Sequence, residues 1–254
     1  MGPTRRAVAS VSRRLRRPEL LAAIYPGARQ ALREEIAMVA VLASAMRSEG
    51  AYVDVGANRG QVLAEAVRVA PGARHVAFEP IPGLAADLAS SFPRVDVRQK
   101  AVGARRTTAE FCHFRALDGW SGLRRSPEIS DERGDPEYFT VEVSTLDDEL
   151  ADLRPRLVKI DVEGAELEVL AGARRLLVEL MPLVIFEHVA AAAALYGAQR
   201  GAAWDLLVEI GYRVAPVTGG GQISRSDFVA NVMVVNWLAT PSHEPGGAER
   251  AASN

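Results

Sequence analysis

Tyr52-Val53-Asp54-Val55-Gly56-Ala57-Asn58-Arg59-Gly60 runs from an apolar strand into a tight glycine turn, with an acid at the strand end and a helical pattern behind. A doubly wound α/β fold builds a nucleotide-type pocket in this way. The chain must reverse sharply where backbone approaches the ligand, and glycine allows both without a Cβ clash. The spacing differs from the G-x-G-x-x-G of dinucleotide sites, since Asp54 precedes Gly56 and Gly60 follows four residues later. An acid inside the turn would repel a pyrophosphate and suits a cationic ligand carrying an amino group and a sulfonium. The turn reads as a site for S-adenosylmethionine.

Working outward, short apolar strands alternate with helical patterns, the signature of a parallel α/β sheet. Strands are expected at 51–55, 75–79, 95–98, 157–161 and 183–187, and helices at 60–69, 83–91, 165–180 and 198–210. Residues 106–114 and 139–145 alternate like antiparallel strands, and 115–138 between them reads as a lid or substrate loop. Tyr212-Arg213-Val214 and Phe228 to Val235 read as two strands joined by a turn at Gly219-Gly220-Gly221. A terminal antiparallel pair on a mostly parallel sheet predicts the Rossmann-like class I methyltransferase fold, with helices on both faces. Helical periodicity over 19–48, split by Pro26-Gly27, predicts a helical cap on the edge of the main domain. The expected organisation is a basic arm and cap over 1–48, the catalytic domain over 49–238, and a disordered tail over 239–254.

Bulk properties narrow the function. A 48% hydrophobic and 24% charged composition is that of a soluble globular protein, and a net charge of -2 makes no case for nucleic acid. The single cysteine, Cys112, excludes an internal disulfide and a cysteine-rich zinc site, so a cytoplasmic setting is expected. No apolar run approaches the roughly 18 residues of a membrane span. Six arginines, from Arg5 to Arg17, precede Glu19, but Pro18-Glu19 interrupts where a signal would need its apolar stretch. They read as a solvated arm. A homo-oligomer is compatible with the sequence and not demanded by it.

The second strand ends at Phe78-Glu79-Pro80, about 20 residues past the glycine turn. There a carboxylate can accept both hydroxyls of a ribose, and Pro80 stops the strand so that Glu79 stands at the sheet edge. Ala101, after the third strand, is small enough to admit an adenine ring or is simply core. Asn58 orients the cofactor's amino-acid end or stabilises a left-handed kink. In Lys159-Ile160-Asp161-Val162-Glu163-Gly164-Ala165-Glu166, period-two alternation puts Lys159 and Asp161 on one side of the fourth strand. Asp161 stands at the carboxyl end, where ligands of open α/β sheets bind. Taken singly, Glu163 and Glu166 suit the start of a helix.

With these blocks and Val143-Ser144-Thr145-Leu146-Asp147-Asp148, the chain resembles the FkbM family of S-adenosylmethionine-dependent methyltransferases over residues 52–188. The resemblance implies a class I methyltransferase acting on hydroxyls of sugars, glycolipids or secondary metabolites. It implies Asp54, Gly56, Asn58 and Glu79 as cofactor contacts and Asp161 and Glu163 as site-lining acids; read from the residues alone, Gly60, Ala101 and Asp161 are further candidate cofactor contacts.

A hydroxyl acceptor must lose its proton to a base or near a metal. His188, just after the fifth strand, is the first candidate base, with Asp161 and Glu163 beside it; a loop histidine without a role is the competing reading. Asp161 and Glu187 could instead hold Mg²⁺. Trp120, in Asp118-Gly119-Trp120-Ser121-Gly122-Leu123, could close over a flat acceptor, while His113 and Trp204 read as structural. The rival functions are an NAD-dependent oxidoreductase, which the turn disfavours, and a non-catalytic binding protein on the same fold, which acids at positions 54, 79 and 161 disfavour.

Overall fold

A computed structural model of the chain describes residues 26–46, 50–114, 121–125 and 136–242. It begins with helix α1 (Pro26–Ala45), strand β1 (Ala51–Val55), α2 (Gln61–Val69), β2 (Val76–Phe78), α3 (Pro82–Ser91) and β3 (Asp96–Arg98). Next come β4 (Ala101–Val102), β5 (Thr107–His113), β6 (Glu137–Ser144), α4 (Leu146–Glu149) and β7 (Pro155–Ile160). The chain continues through α5 (Glu166–Ala171), α6 (Arg174–Leu180), β8 (Leu183–Glu187), α7 (Ala190–Leu195), α8 (Ala202–Glu209), β9 (Tyr212–Pro216), α9 (Arg225–Ala230) and β10 (Asn236–Pro241).

Seven strands form the main sheet in the order β3-β2-β1-β7-β8-β10-β9. The first five in this order pair in parallel, while β10 runs antiparallel to both β8 and β9. The expected α/β class with a terminal antiparallel pair is what forms. All five residues of β1 are buried, as an interior parallel strand requires. Successive side chains go to opposite faces. Val53 and Val55 join one core with Val158, Ile160, Phe186 and helices α4, α5, α6 and α8. Tyr52 joins the other core, with Leu157, Ile185 and residues of α1, α2 and α3.

The chain goes out from β1 through β2 to β3, then returns to the other side of β1 with β7. That reversal opens a crevice at the carboxyl ends of β1 and β7. Between β3 and β7 a small sheet, β4-β6-β5, is inserted, and its antiparallel β5–β6 ladder runs from Thr107 opposite Val143 to His113 opposite Glu137. This is the alternation seen in 106–114 and 139–145. The two-residue strand β4 is too short to have had a pattern.

Three expectations need correction. Helix α1 is not an edge cap: Met38 and Leu42 on it, with Met46 just beyond, are core residues on one sheet face, and α1 packs on α2 and the central strand β7. Its buried Glu34 accepts hydrogen bonds from Asn236 N and Asn236 Nδ2, both at 3.0 Å, which ties α1 to the start of β10. The first half of the proposed cap lies outside the described residues.

Second, Phe228 to Val235 is not a strand. The Ser224 hydroxyl accepts from Asp227 N at 3.1 Å and starts α9, and Asn231 Oδ1 then accepts from Val234 N at 3.0 Å to turn the chain. Cap chemistry overrides the apolar run. The terminal strand is β10, so the fold continues to Pro241 rather than 238; residues 243–254 lie outside the described residues.

Third, the helix expected over 165–180 is broken after Ala171. A Cβ on Gly172 would come within 2.0 Å of the Gly103 carbonyl oxygen, so the small sheet docks against this break. The helix expected over 198–210 starts only at Ala202, after Gly201 at φ 86. No helix among the described residues is long and apolar enough to cross a membrane.

Candidate active site

A cavity of about 520 Å³ occupies the crevice at the ends of β1, β2, β7 and β8, within the roughly 300–1,000 Å³ of small-molecule sites. Beyond β1 the backbone N–H groups of Gly56 and Ala57 donate to Phe78 O at 3.0 and 3.1 Å, locking the turn to β2. Gly56 has φ 78, and a Cβ there would lie 1.8 Å from Asp161 O. Its glycine is thus needed for close approach of the β1 and β7 ends to each other. Asn58 is left-handed at φ 49, as the kink reading required, and it lines the cavity. Gly60 does not line it; its φ of 74 leads into α2, and a Cβ would strike the Leu88 and Phe92 side chains at 2.6 and 2.9 Å.

Glu79 is 3% exposed at the cavity wall. Its Oε2 accepts from Asn58 N at 2.7 Å and its Oε1 from Ile81 N at 2.9 Å. These two backbone donors set the direction of both carboxylate oxygens. Ala101 also lines the cavity.

Lys159, on β7, supplies the central cation. Its Nζ lies 3.4 Å from Asp54 Oδ1 and 3.0 Å from Asp161 Oδ2. Burial works against this ammonium, yet the charges of Asp161 and Asp54 hold its pKa above the ordinary lysine value. Burial raises the Asp54 carboxyl, with the Lys159 charge opposing. Asp54 Oδ1 is buried, with the Lys159 ammonium as its ion-pair partner. The pattern Leu157-Val158-Lys159-Ile160 held the clue to Lys159, since a charge inside an apolar strand needs partners on its own face.

Three carboxylates meet at the other end. Asp161, Glu163 and Glu187 each offer an oxygen within 4.8 Å of the others, and all three line the cavity. Burial would raise Asp161, but the Lys159 ammonium and hydrogen bonds from Glu187 and Lys159 hold it below the usual range. Burial, then the charges of Asp161 and Glu163, push Glu187 up to about 10. Burial, then Asp161 and Glu166, push Glu163 up to about 8. The Asp161 side chain is 35% accessible, so water in the cavity screens part of these effects. Glu163 is held at φ 56. Glu166 turns back to accept from Val162 N at 3.2 Å and Gly164 N at 3.0 Å, so it braces the turn, as its helix-start position suggested.

His188 is placed elsewhere. Alternation along β8 aims Glu187 at the cavity, and the next residue turns away from it. The His188 ring stacks on Phe228 at 4.9 Å, its backbone N donates to Val235 O, and burial lowers its pKa. It is not among the cavity-lining residues. His113 meets the Phe139 ring edge-on and Trp204 packs against the main core, both structural as expected.

Ser121, Gly122 and Leu123 wall the cavity from the side of the small sheet. They are clipped to β5, where Cys112 N donates to Gly122 O at 2.9 Å and Gly122 N to Cys112 O at 3.1 Å. Of the expected lid over 115–138, residues 115–120, Trp120 included, and 126–135 lie outside the described residues.

The Methyltransferase FkbM domain family matches residues 54–214. Methyltransferase sdnD of Sordaria araneosa is 32% identical over 167 residues, which cover 53% of this chain and 64% of that protein's length. Among solved structures, a methyltransferase FkbM from Methylobacillus flagellatus KT is 19% identical with a TM-score of 0.47, covering 76% of this chain and 43% of that one. A precorrin-6y C5,15-methyltransferase from Geobacter metallireducens GS-15 is 17% identical with a TM-score of 0.43, covering 81% and 87% of the two chains. The fold assignment rests on the strand order, not on these neighbours.

Proposed function

Because this chain belongs to the Methyltransferase FkbM domain family, we propose that it uses S-adenosylmethionine to O-methylate a hydroxyl of a small molecule: a sugar, glycolipid or secondary metabolite. The observation that carries this reading is one cavity with two chemically distinct ends, ligand-gripping groups on β1 and β2 and a proton-accepting carboxylate cluster on β7 and β8.

The residues of the first end fit S-adenosylmethionine. Asp54, a buried acid at the cavity wall, suits an ammonium donor, Glu79 suits a ribose diol, and the wall at Ala101 and Ile81 suits an adenine. When bound, this cofactor supplies an electrophilic methyl carbon on a sulfonium. The protein's part is to hold the acceptor oxygen in line with that carbon. With the methyl group supplied by the cofactor, the acceptor's hydroxyl proton would pass to a carboxylate of the β7 and β8 cluster.

Glu163 is assigned as that base. It lines the cavity, and its pKa near 8 is matched to proton transfer around neutral pH. Asp161 and Glu187 share a hydrogen bond beside it, and Lys159 supplies the compensating cation. Carboxylates in this number suit a hard ion such as Mg²⁺, but the Lys159 ammonium already occupies Asp161 Oδ2. The proposed route therefore runs by proton transfer and should survive EDTA. The enzyme is taken to act in the cytoplasm, where Cys112 stays reduced.

Calorimetric titration with S-adenosylhomocysteine, with NAD as the control, tests the cofactor. Saturable micromolar-range binding of the first alone is expected. Heat with NAD only, or with neither, would overturn the proposal.

A further inference from the structure

A second cavity, of about 550 Å³, shares Val102, Leu123 and Ala165 as wall residues with the first. Its walls come largely from the small sheet and the segment 121–125, and its charge is of the other kind. Arg105, Arg124 and Arg125 line it against Glu110 and Glu168. The first cavity presents five carboxylates, of Asp54, Glu79, Asp161, Glu163 and Glu187, against the cations Arg59, Lys100 and Lys159.

Tyr196 stands where the two cavities adjoin. It lines the second, its hydroxyl is buried against the backbone of Leu123 and Arg124, and burial raises its pKa. A Cβ on Gly122 would lie 3.2 Å from the Tyr196 hydroxyl and 3.8 Å from Glu163 Cβ, so Gly122 sits between that hydroxyl and the assigned base.

We propose that the second cavity anchors the acceptor, and that the acceptor carries a carboxylate or a phosphate held by Arg105 and Arg124. The hydroxyl to be methylated then reaches past Leu123 and Ala165 towards Glu163. This inference rests on the methyl-transfer reading of the first cavity. Guanidinium groups bind planar and tetrahedral oxyanions through paired N–H donors, and the Tyr196 hydroxyl is a further donor along the path. The guanidinium groups gathered in the second cavity direct the anionic end of such an acceptor there.

The test uses the full chain saturated with S-adenosylhomocysteine at physiological salt. Glucuronate, glucose 6-phosphate and neutral glucose are titrated against wild type and the Arg105→Ala/Arg124→Ala double variant. One or both anionic probes should bind at least about tenfold tighter than glucose, and the double variant should lose that preference with S-adenosylhomocysteine affinity unchanged. The two anionic arms separate a carboxylate acceptor from a phosphate one. Equal binding of all three probes, or a preference that survives the double substitution, would overturn the subsite. Failure of wild type to bind S-adenosylhomocysteine breaks the methyl-transfer reading instead, and the arginine dependence is then read from the same probes without it.

Discussion

At the β1 and β2 end of the cavity, Glu79 has one backbone N–H on each oxygen, from Asn58 and Ile81. At the β7 and β8 end, Asp161, Glu163 and Glu187 crowd within 4.8 Å with one lysine among them. The first end is oriented and ready to bind, since its acceptor directions are set before any ligand arrives. The second holds more carboxylates than it has cations, so protons stay on groups that would otherwise lose them. Under the proposed function, binding and proton transfer would be separated along one cavity, and the two ends should respond differently to substitution.

The largest effect should come where the ends touch. In Gly56→Ala the new Cβ would overlap the Asp161 carbonyl at 1.8 Å, on a backbone at φ 78. A loss of about 3 kcal/mol or more in urea denaturation is expected. Near-wild-type stability would mean that the ends are not locked through this contact.

Glu163→Gln comes next. Turnover should fall by about 10²–10⁴-fold while S-adenosylhomocysteine affinity holds. The wild-type rate should rise with pH through about 8, because the base acts unprotonated, and the variant should lose that rise. His188→Ala should keep wild-type turnover, since that ring lies against Phe228. A large loss there with an intact pH profile in Glu163→Gln would exchange the two assignments.

Glu79→Ala should weaken S-adenosylhomocysteine binding by roughly 1.5–3 kcal/mol and spare the pH profile. Unchanged affinity in calorimetry would remove the ribose assignment and with it the contrast between the ends.

The last prediction concerns how stability depends on pH. Glu187 has a folded-state pKa of about 10 against an ordinary 4.5, so the folded protein binds the extra proton. That contribution is fully present below the ordinary value and fades as pH rises through about 10. The melting temperature should decline over this window, and Glu187→Gln, neutral throughout, should flatten the decline. Parallel curves for the two proteins would show that Glu187 is not protonated in the folded state.

Much of the first end was legible because its signals are local. Asp54, Gly56, Asn58 and Glu79 are read from strand ends and turn chemistry, and each lines the cavity. Gly60 misled because a glycine after a turn serves helix entry and packing as readily as a ligand. His188 misled because an attractive pKa says nothing of direction, and the alternation of β8 that aims Glu187 at the cavity turns its neighbour away. Phe228 to Val235 misled because the Ser224 cap outweighs an apolar run whose Val232 and Met233 end up 89% and 60% exposed.

By itself the sequence determined the α/β class, the strand that carries the turn, and the acids at strand ends, because periodicity and turn chemistry act over a few residues. Only tertiary structure decided that Glu163 and Glu187 meet, that Lys159 bridges Asp54 and Asp161, and that Glu34 reaches Asn236. It also decided that an arginine-lined cavity adjoins the acid-lined one. These depend on strand order and on the docking of the small sheet, which bring together groups far apart in the chain that no local pattern connects.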